Sequence, residues 1–310
     1  MISVFLETLP FFALIGLGYF AGVSGFFSEA ATAHLTKFVF YFALSAMLFR
    51  FSATLSIGEI LDWNFVLVYL IGSAAVWLIA LIIGLLRGSG WAEASIEAQC
   101  AIIGNVGFLG IPMLVLLLGP EAIGPNMLVL AVDLIVFGSL VVIFVTAAKD
   151  GRMSPCILGT IAMGLLKNPM IVSICLGLLW ATLEIPLPAP FEAFVSTLGA
   201  AATPCALFAI GASLASKSAE RLSVAGWLSF CKLILHPLAI VLAIIYLPFP
   251  IDPYAAGVMI ACAALPVAGN IYIVAQHYGV APQRVSASIL VSTSLSVLTV
   301  SAVIAWVKGF

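Results

Sequence analysis

One aspartate, Asp133, lies in the middle of an apolar run, between Ala131-Val132 and Leu134-Ile135-Val136. A carboxyl group placed there is suited to carrying a proton, coordinating a sodium ion, pairing with a buried cation or making a structural hydrogen bond. Lys232 and His236 lie four residues apart in another apolar run and so share one helix face. They fit an anion-linked role, although a lysine near a helix end also snorkels to the surface. Two further stretches combine Gly, Asn and Pro: Gly104-Asn-Val-Gly-Phe-Leu-Gly-Ile-Pro112 and Leu265-Pro-Val-Ala-Gly-Asn270. Proline removes a backbone donor, and glycine tolerates an extended backbone. Unwound backbone with exposed amides, next to half-helix N-termini, favours an anion. The candidate binding residues are therefore Gly104, Asn105, Gly107, Pro112, Pro266, Gly269 and Asn270, with Asp133, Lys232 and His236 in coupling or support. The plainer alternative is a pair of ordinary kinks with packing glycines.

The elements that must position these residues are set by composition. The chain has 310 residues, 64% of them hydrophobic and 8% charged, with 11 Lys+Arg against 13 Asp+Glu. A soluble domain carries about 25% charged residues, so this chain cannot cover itself with polar surface in water. That excludes a cytosolic enzyme, a disordered chain and a nucleic-acid binder. An all-α polytopic membrane protein remains. Ten apolar segments are expected, near 2–23, 33–55, 63–86, 93–118, 122–147, 168–185, 191–216, 222–247, 253–279 and 283–307. The run from Ile2 reads as a retained first span, because Met1-Ile2-Ser3 lacks the positive n-region of a signal peptide. Connections are short, and the longest, Ala148 to Lys167, is itself partly apolar. Any site must lie inside the bundle, in one domain spanning 1–310. Cysteines 100, 156, 175, 205, 231 and 262 show no C-x-x-C spacing and read as small packing residues, so no metal or cofactor is expected.

Lys37, Arg87, Lys149, Arg152, Lys167, Lys217, Arg221 and Arg284 fall on one side of this scheme, and Arg50 and Lys308 on the other. The positive-inside rule then places both termini outside the cytoplasm, in a plasma membrane or bacterial inner membrane. Glu7, Glu93 and Glu97 read as interfacial, with Glu97 and Gln99 as a further candidate lining of the cytoplasmic entrance. The halves also match weakly. Pro10 to Gly18 resembles Pro169 to Gly177, Trp63 resembles Trp227, and Cys100-Ala101 with Gly107 resembles Cys262-Ala263 with Gly269. These offsets, near 160, divide the chain into repeats 1–150 and 160–310. Each repeat spans five helices, and an odd number inverts the second copy. Inverted repeats whose corresponding spans are broken characterise secondary transporters.

The stretches Gly104–Pro112, Lys167-Asn-Pro169, Thr203-Pro-Cys-Ala-Leu-Phe-Ala-Ile-Gly211, His236-Pro237 and Leu265–Gly279 resemble the auxin efflux carriers, a family that includes bacterial dicarboxylate carriers. The resemblance covers nearly the whole chain. It implies a ten-helix 5+5 inverted repeat crossing at helices 4 and 9. Helices 1, 2, 6 and 7 would form a scaffold, and helices 3–5 and 8–10 a moving transport domain. It also implies organic-anion substrates and a homodimer.

Two other classes fit less well. Gly22-Val-Ser-Gly25 matches a G-x-S-G protease string, but at the end of span one, where a water-excluded nucleophile has no place. There is no H-E-x-x-H, and only one aspartate lies deep in a span, so no enzyme is expected. No repeated pore loop or charged ring suggests a channel. The expectation is a carrier of mono- or dicarboxylates. The alternative within transport is a proton- or sodium-coupled carrier of a related inverted-repeat fold, with a bile-acid-like anion or an ion as cargo.

Overall fold

The computed structural model describes residues 2–54, 62–150, 156–215 and 222–309, and the chain is helical over most of these. Its elements are α1 (Ile2–Val23), α2 (Glu29–Ala53), α3 (Trp63–Leu86), α4 (Trp91–Ile102), α5 (Val106–Leu118), α6 (Pro120–Ala148) and α7 (Cys156–Lys167). There follow α8 (Pro169–Thr182), α9 (Ala189–Ala215), α10 (Leu222–Tyr246), α11 (Pro253–Ala263), α12 (Asn270–Tyr278) and α13 (Pro282–Val307). Among the described residues, α2, α3, α6, α9, α10 and α13 are long and apolar enough to cross a membrane. At 1.5 Å per residue each exceeds the roughly 30 Å hydrocarbon core. The apolar runs expected at 93–118 and 253–279 are each divided, into α4/α5 and α11/α12. The partly apolar connection before Lys167 carries the helix α7, which the sequence reading left within a loop.

Local chemistry starts several helices. Asp62 accepts hydrogen bonds from the amides of Asn64 (2.8 Å) and Phe65 (3.2 Å) at the start of α3, and Asp252 accepts from Ala255 (2.9 Å) at α11. Asn168 accepts from Met170 (3.0 Å), with Pro169 in the first turn of α8. These side chains satisfy N-terminal donors that have no partner within the helix. The radial distribution of polarity is inverted relative to a soluble protein. Phe20, Leu86, Leu116 and Leu298 are exposed, whereas Glu97, Asp133, Lys232 and His236 are buried. A lipid surround accounts for both.

α1 packs along α9, and α8 along α2; α3 packs on α4 and α10, α4 on α6, and α10 on α13. Glycine allows the closest approaches. A Cβ on Gly18 of α1 would collide with the Phe208 carbonyl of α9 and crowd the Ala212 amide; one on Gly177 of α8 would collide with the Phe49 carbonyl of α2 and crowd the Ala53 amide. The two sets of contacts correspond residue for residue, each 159 positions apart. Gly211 meets the Ile15 carbonyl in the same way. Such small-residue contacts let membrane helices approach closely. Gly211→Ala should therefore lower stability by about 1–3 kcal/mol through overpacking. Gly16→Ala, where nothing lies within 4 Å, should be neutral or slightly stabilising. Melting of the two purified variants in detergent checks this, and equal melting temperatures would contradict the close approach.

Candidate functional site

The two breaks lie against each other. α4 ends at Ile102, and the next residues leave helical geometry. The Asn105 amide donates to the Pro266 carbonyl (2.8 Å), and the Ala268 amide donates to the Ile103 carbonyl (3.1 Å). Gly104 and Val267 face each other across this antiparallel bridge, the one extended pairing among the described residues. The pairing is symmetric: 103 corresponds to 266, 104 to 267 and 105 to 268, a constant offset of 163. Backbone groups that cannot reach water are thereby satisfied. The Val267 amide donates to Ser292 Oγ of α13 (3.1 Å), and the Asn105 carbonyl accepts from Leu109 and Gly110 at the start of α5. Glycine at 104 relieves a tight approach, because a Cβ there would lie 3.0 Å from the Cys262 carbonyl and 3.3 Å from Lys232 Cε. Gly269 has nothing within 4 Å of such a Cβ and leaves one side of the crossing open.

Pro266 sits in its break, but Pro112 does not. It lies inside α5, two residues after the wide turn Val106–Gly110, while the unwound residues are 103–105. Pro237 stands in the same relation to the wide turn Cys231–Leu235 of α10. A proline cannot donate to the preceding turn, and its ring crowds the carbonyl four residues back, so a widened turn accommodates both defects. Pro112 thus shapes α5 rather than holding the break open, and it lines a separate cavity.

A narrow cleft of about 20 Å³ touches the crossing, room for about one water. Gly104, Asn105, Gly107, Gly269, Asn270 and Asp133 all line it, so six of the expected residues are gathered at one place. The Asn105 side chain makes no hydrogen bond among the described residues, and Asn270 Oδ1 is buried without a partner. Met170 closes the cleft on the far side: a Cβ on Gly107 would lie 2.8 Å from Met170 Cε. The Asn168 cap that begins α8 is what sets Met170 there.

Behind the crossing lies a buried polar chain. Tyr69 of α3 donates to Asp133 Oδ1 (2.8 Å), while Asp133 Oδ2 is buried without a partner among the described residues. Lys232 is wholly buried and does not snorkel. Its Nζ donates to the Ala263 carbonyl at the C-terminal end of α11 and to His236 Nδ1 (3.1 Å). A cation at a helix C-terminus is favourably placed against the helix dipole. A protonated lysine has no acceptor, so His236 Nδ1 accepts, and its Nε2–H donates to Ser73 Oγ (2.9 Å). Asn126 Oδ1 accepts from Cys262 Sγ (3.1 Å), leaving Asn126 Nδ2 unpaired. Asp133 opens the wide turn Asp133–Phe137, and Lys232 lies in the wide turn of α10. Such turns are common at functional sites because they redirect side chains.

Tyr69, Ser73 and Asn126 were absent from the sequence reading. Tyr69 and Ser73 are the polar residues of one face in an otherwise apolar run, a signal that Lys232 and His236 carry in α10. Glu97 is buried and bridges Arg87 and Arg284, the latter at 2.6 Å, so it ties the ends of α3, α4 and α13 together. Gln99 is likewise internal, with its Oε1 accepting from Trp77 Nε1 (3.3 Å).

A multi-pass helical bundle with ionisable groups gathered beside two broken helices is a membrane transporter by class. The family model described as "Membrane transport protein" matches residues 3–155 and 146–304. The chain belongs to this family, the auxin efflux carriers. It is 32% identical over 304 residues, 97% of its length and 95% of the relative's, to the "Putative malonate transporter" of Rhizobium meliloti. It is 26% identical over 317 residues, covering 96% of each chain, to the "Uncharacterized transporter YfdV" of Escherichia coli K12. A mouse "Lysosomal cholesterol signaling protein" is 27% identical over 227 residues, 69% of this chain and 26% of that longer one.

Proposed function

We propose that the chain is a secondary carrier of small organic anions, mono- or dicarboxylates, that binds its substrate at the crossing and works by elevator-type alternating access. The observation that carries the reading is the paired backbone at Asn105 and Pro266, flanked by two asparagine side chains with open hydrogen-bonding groups. Lys232, whose Cε lies 3.3 Å from where a Cβ on Gly104 would sit, adds the positive field an anion needs. The name of the Rhizobium relative supports malonate as a first substrate to test. Ten crossings in two inverted five-helix repeats fit the pairing at offset 163 and the glycine contacts at offset 159. In this arrangement α1, α2, α8 and α9 form the scaffold, and α3–α6 with α10–α13 form the moving body. The narrow cleft, plugged by Met170 from α8, corresponds to a conformation closed over the site. Both termini face away from the cytoplasm, by the distribution of Lys and Arg.

The test is ligand-induced stabilisation of the purified protein against a panel of dicarboxylates, aryl acetates and bile acids. A ligand that binds only the folded protein raises its apparent stability, by about 2.7 kcal/mol at a hundred times its Kd. Malonate or a similar small dicarboxylate is expected to raise the melting temperature. Stabilisation by bile acids alone would replace this substrate class with the bulkier one.

Asp133 Oδ2, buried without a partner beside the cleft, supports coupling to a cation, with a proton preferred. Asp133→Asn keeps the shape and removes the titration. It should abolish accumulation driven by a pH gradient and leave substrate exchange largely intact. An Asp133→Asn protein that still concentrates substrate in response to the gradient would move coupling elsewhere.

A further inference from the structure

A cavity of about 510 Å³, distinct from the crossing, lies between α2, α5 and α9. Its size falls in the range of small-molecule sites, about 300–1,000 Å³. Among the described residues, Arg50 of α2 is the one charged side chain in its lining; Ser196 and Thr203 of α9 supply hydroxyls, and Pro112 of α5 lies on the opposite wall. Arg50 is half-buried, and among the described residues it has no hydrogen-bond or ion-pair partner. An arginine in an apolar bundle is costly and is found facing a partner or a wet cavity; here it faces the cavity. Its planar guanidinium is suited to a carboxylate, which it can hold with two parallel hydrogen bonds. Glu121 stands against Gly119, which lines the cavity, and makes no ion pair with Arg50. The cavity also straddles the seam between α2 and α9 on one side and α5 on the other, and α5 leads from it directly to Asn105.

We propose that this cavity is an anion-capturing vestibule in which Arg50 holds the carboxylate of an incoming substrate before it reaches the crossing. The substrate class rests on the function proposed above, but the anion-attracting field of Arg50 does not, and the test separates them. Ser196→Cys places a thiol in the vestibule of the full-length protein. Its modification by a negatively and a positively charged methanethiosulfonate reagent is followed on the peptide that carries it. With Arg50 present the anionic reagent should react faster. The anionic-to-cationic rate ratio should fall about tenfold in Arg50→Gln, recover in Arg50→Lys and shrink with added salt. An unchanged ratio in Arg50→Gln overturns the proposal. In proteoliposomes the same Arg50→Gln change should raise the KM for malonate uptake about tenfold or more at unchanged maximal rate, since it removes capture and spares the crossing. A fall in maximal rate with KM unchanged would also overturn it. If the ratio shifts as expected but the unsubstituted protein carries no carboxylate, the vestibule stands and the substrate assignment fails.

Discussion

Lys232→Met is expected to destabilise the protein by about 3–5 kcal/mol, the usual consequence of removing one member of a buried, hydrogen-bonded charged cluster. Methionine matches the stem of the lysine, so packing is nearly preserved and the loss is electrostatic. The Ala263 carbonyl at the end of α11 and His236 Nδ1 both lose their donor, and the buried Asp133 loses the positive charge that bears on it. The variant should melt well below the parent in detergent, and its transport should be lost with the geometry of α11. Adding Asp133→Asn should recover part of the stability, because the orphaned negative charge is then gone. The double-mutant cycle measures that coupling directly. A Lys232→Met protein as stable as the parent would show that the buried chain does not hold the crossing together.

Asn105→Ala and Asn270→Ala should each weaken substrate binding by about 1–3 kcal/mol, the cost of losing one buried hydrogen-bonding partner. At 1.4 kcal/mol per tenfold, that is about 5- to 150-fold in affinity for each. Neither amide group carries structure visible in the fold: Asn105 makes no side-chain hydrogen bond among the described residues, and Asn270 Oδ1 has no partner. Both variants should therefore fold and melt like the parent, and the double variant should show no measurable binding at millimolar malonate. Unchanged affinity in both single variants, at normal stability, would remove the binding site from the crossing.

Much of this site is legible in the sequence because membrane chemistry makes polar residues rare. Asp133, Lys232 and His236 stand out against apolar neighbours, and the Gly/Asn/Pro stretches interrupt two otherwise continuous runs. The expected boundaries 63–86 and 2–23 coincide with α3 and α1, since charges and caps such as Asp62 mark the ends. The register of the crossing was less legible. Motif matching at an offset of 162 set Asn105 against Val267, whereas the crossing relates Asn105 to Ala268 at an offset of 163 and bonds its amide to the Pro266 carbonyl, because hydrogen bonding between unwound strands follows backbone geometry and not side-chain likeness. Pro112 was misread for a related reason: a proline signals a perturbed helix, but a wide turn absorbs the perturbation as well as a break does. Glu97 looked interfacial because it is near a span end, and its burial depends on Arg87 and Arg284, which come from the ends of other helices. Tyr69 and Ser73 matter through partners 64 and 163 residues away, a pairing that no local pattern encodes.

The most direct test of the proposed carrier is counterflow. Proteoliposomes containing the purified protein are loaded with a high concentration of unlabelled malonate and diluted into a trace of labelled malonate. Alternating access to a single site predicts a transient accumulation of label well above its external concentration, saturating with external malonate and absent from protein-free vesicles. Label that only equilibrates, at a rate proportional to concentration and indifferent to the internal pool, would mean a pore rather than a carrier. It would contradict the account.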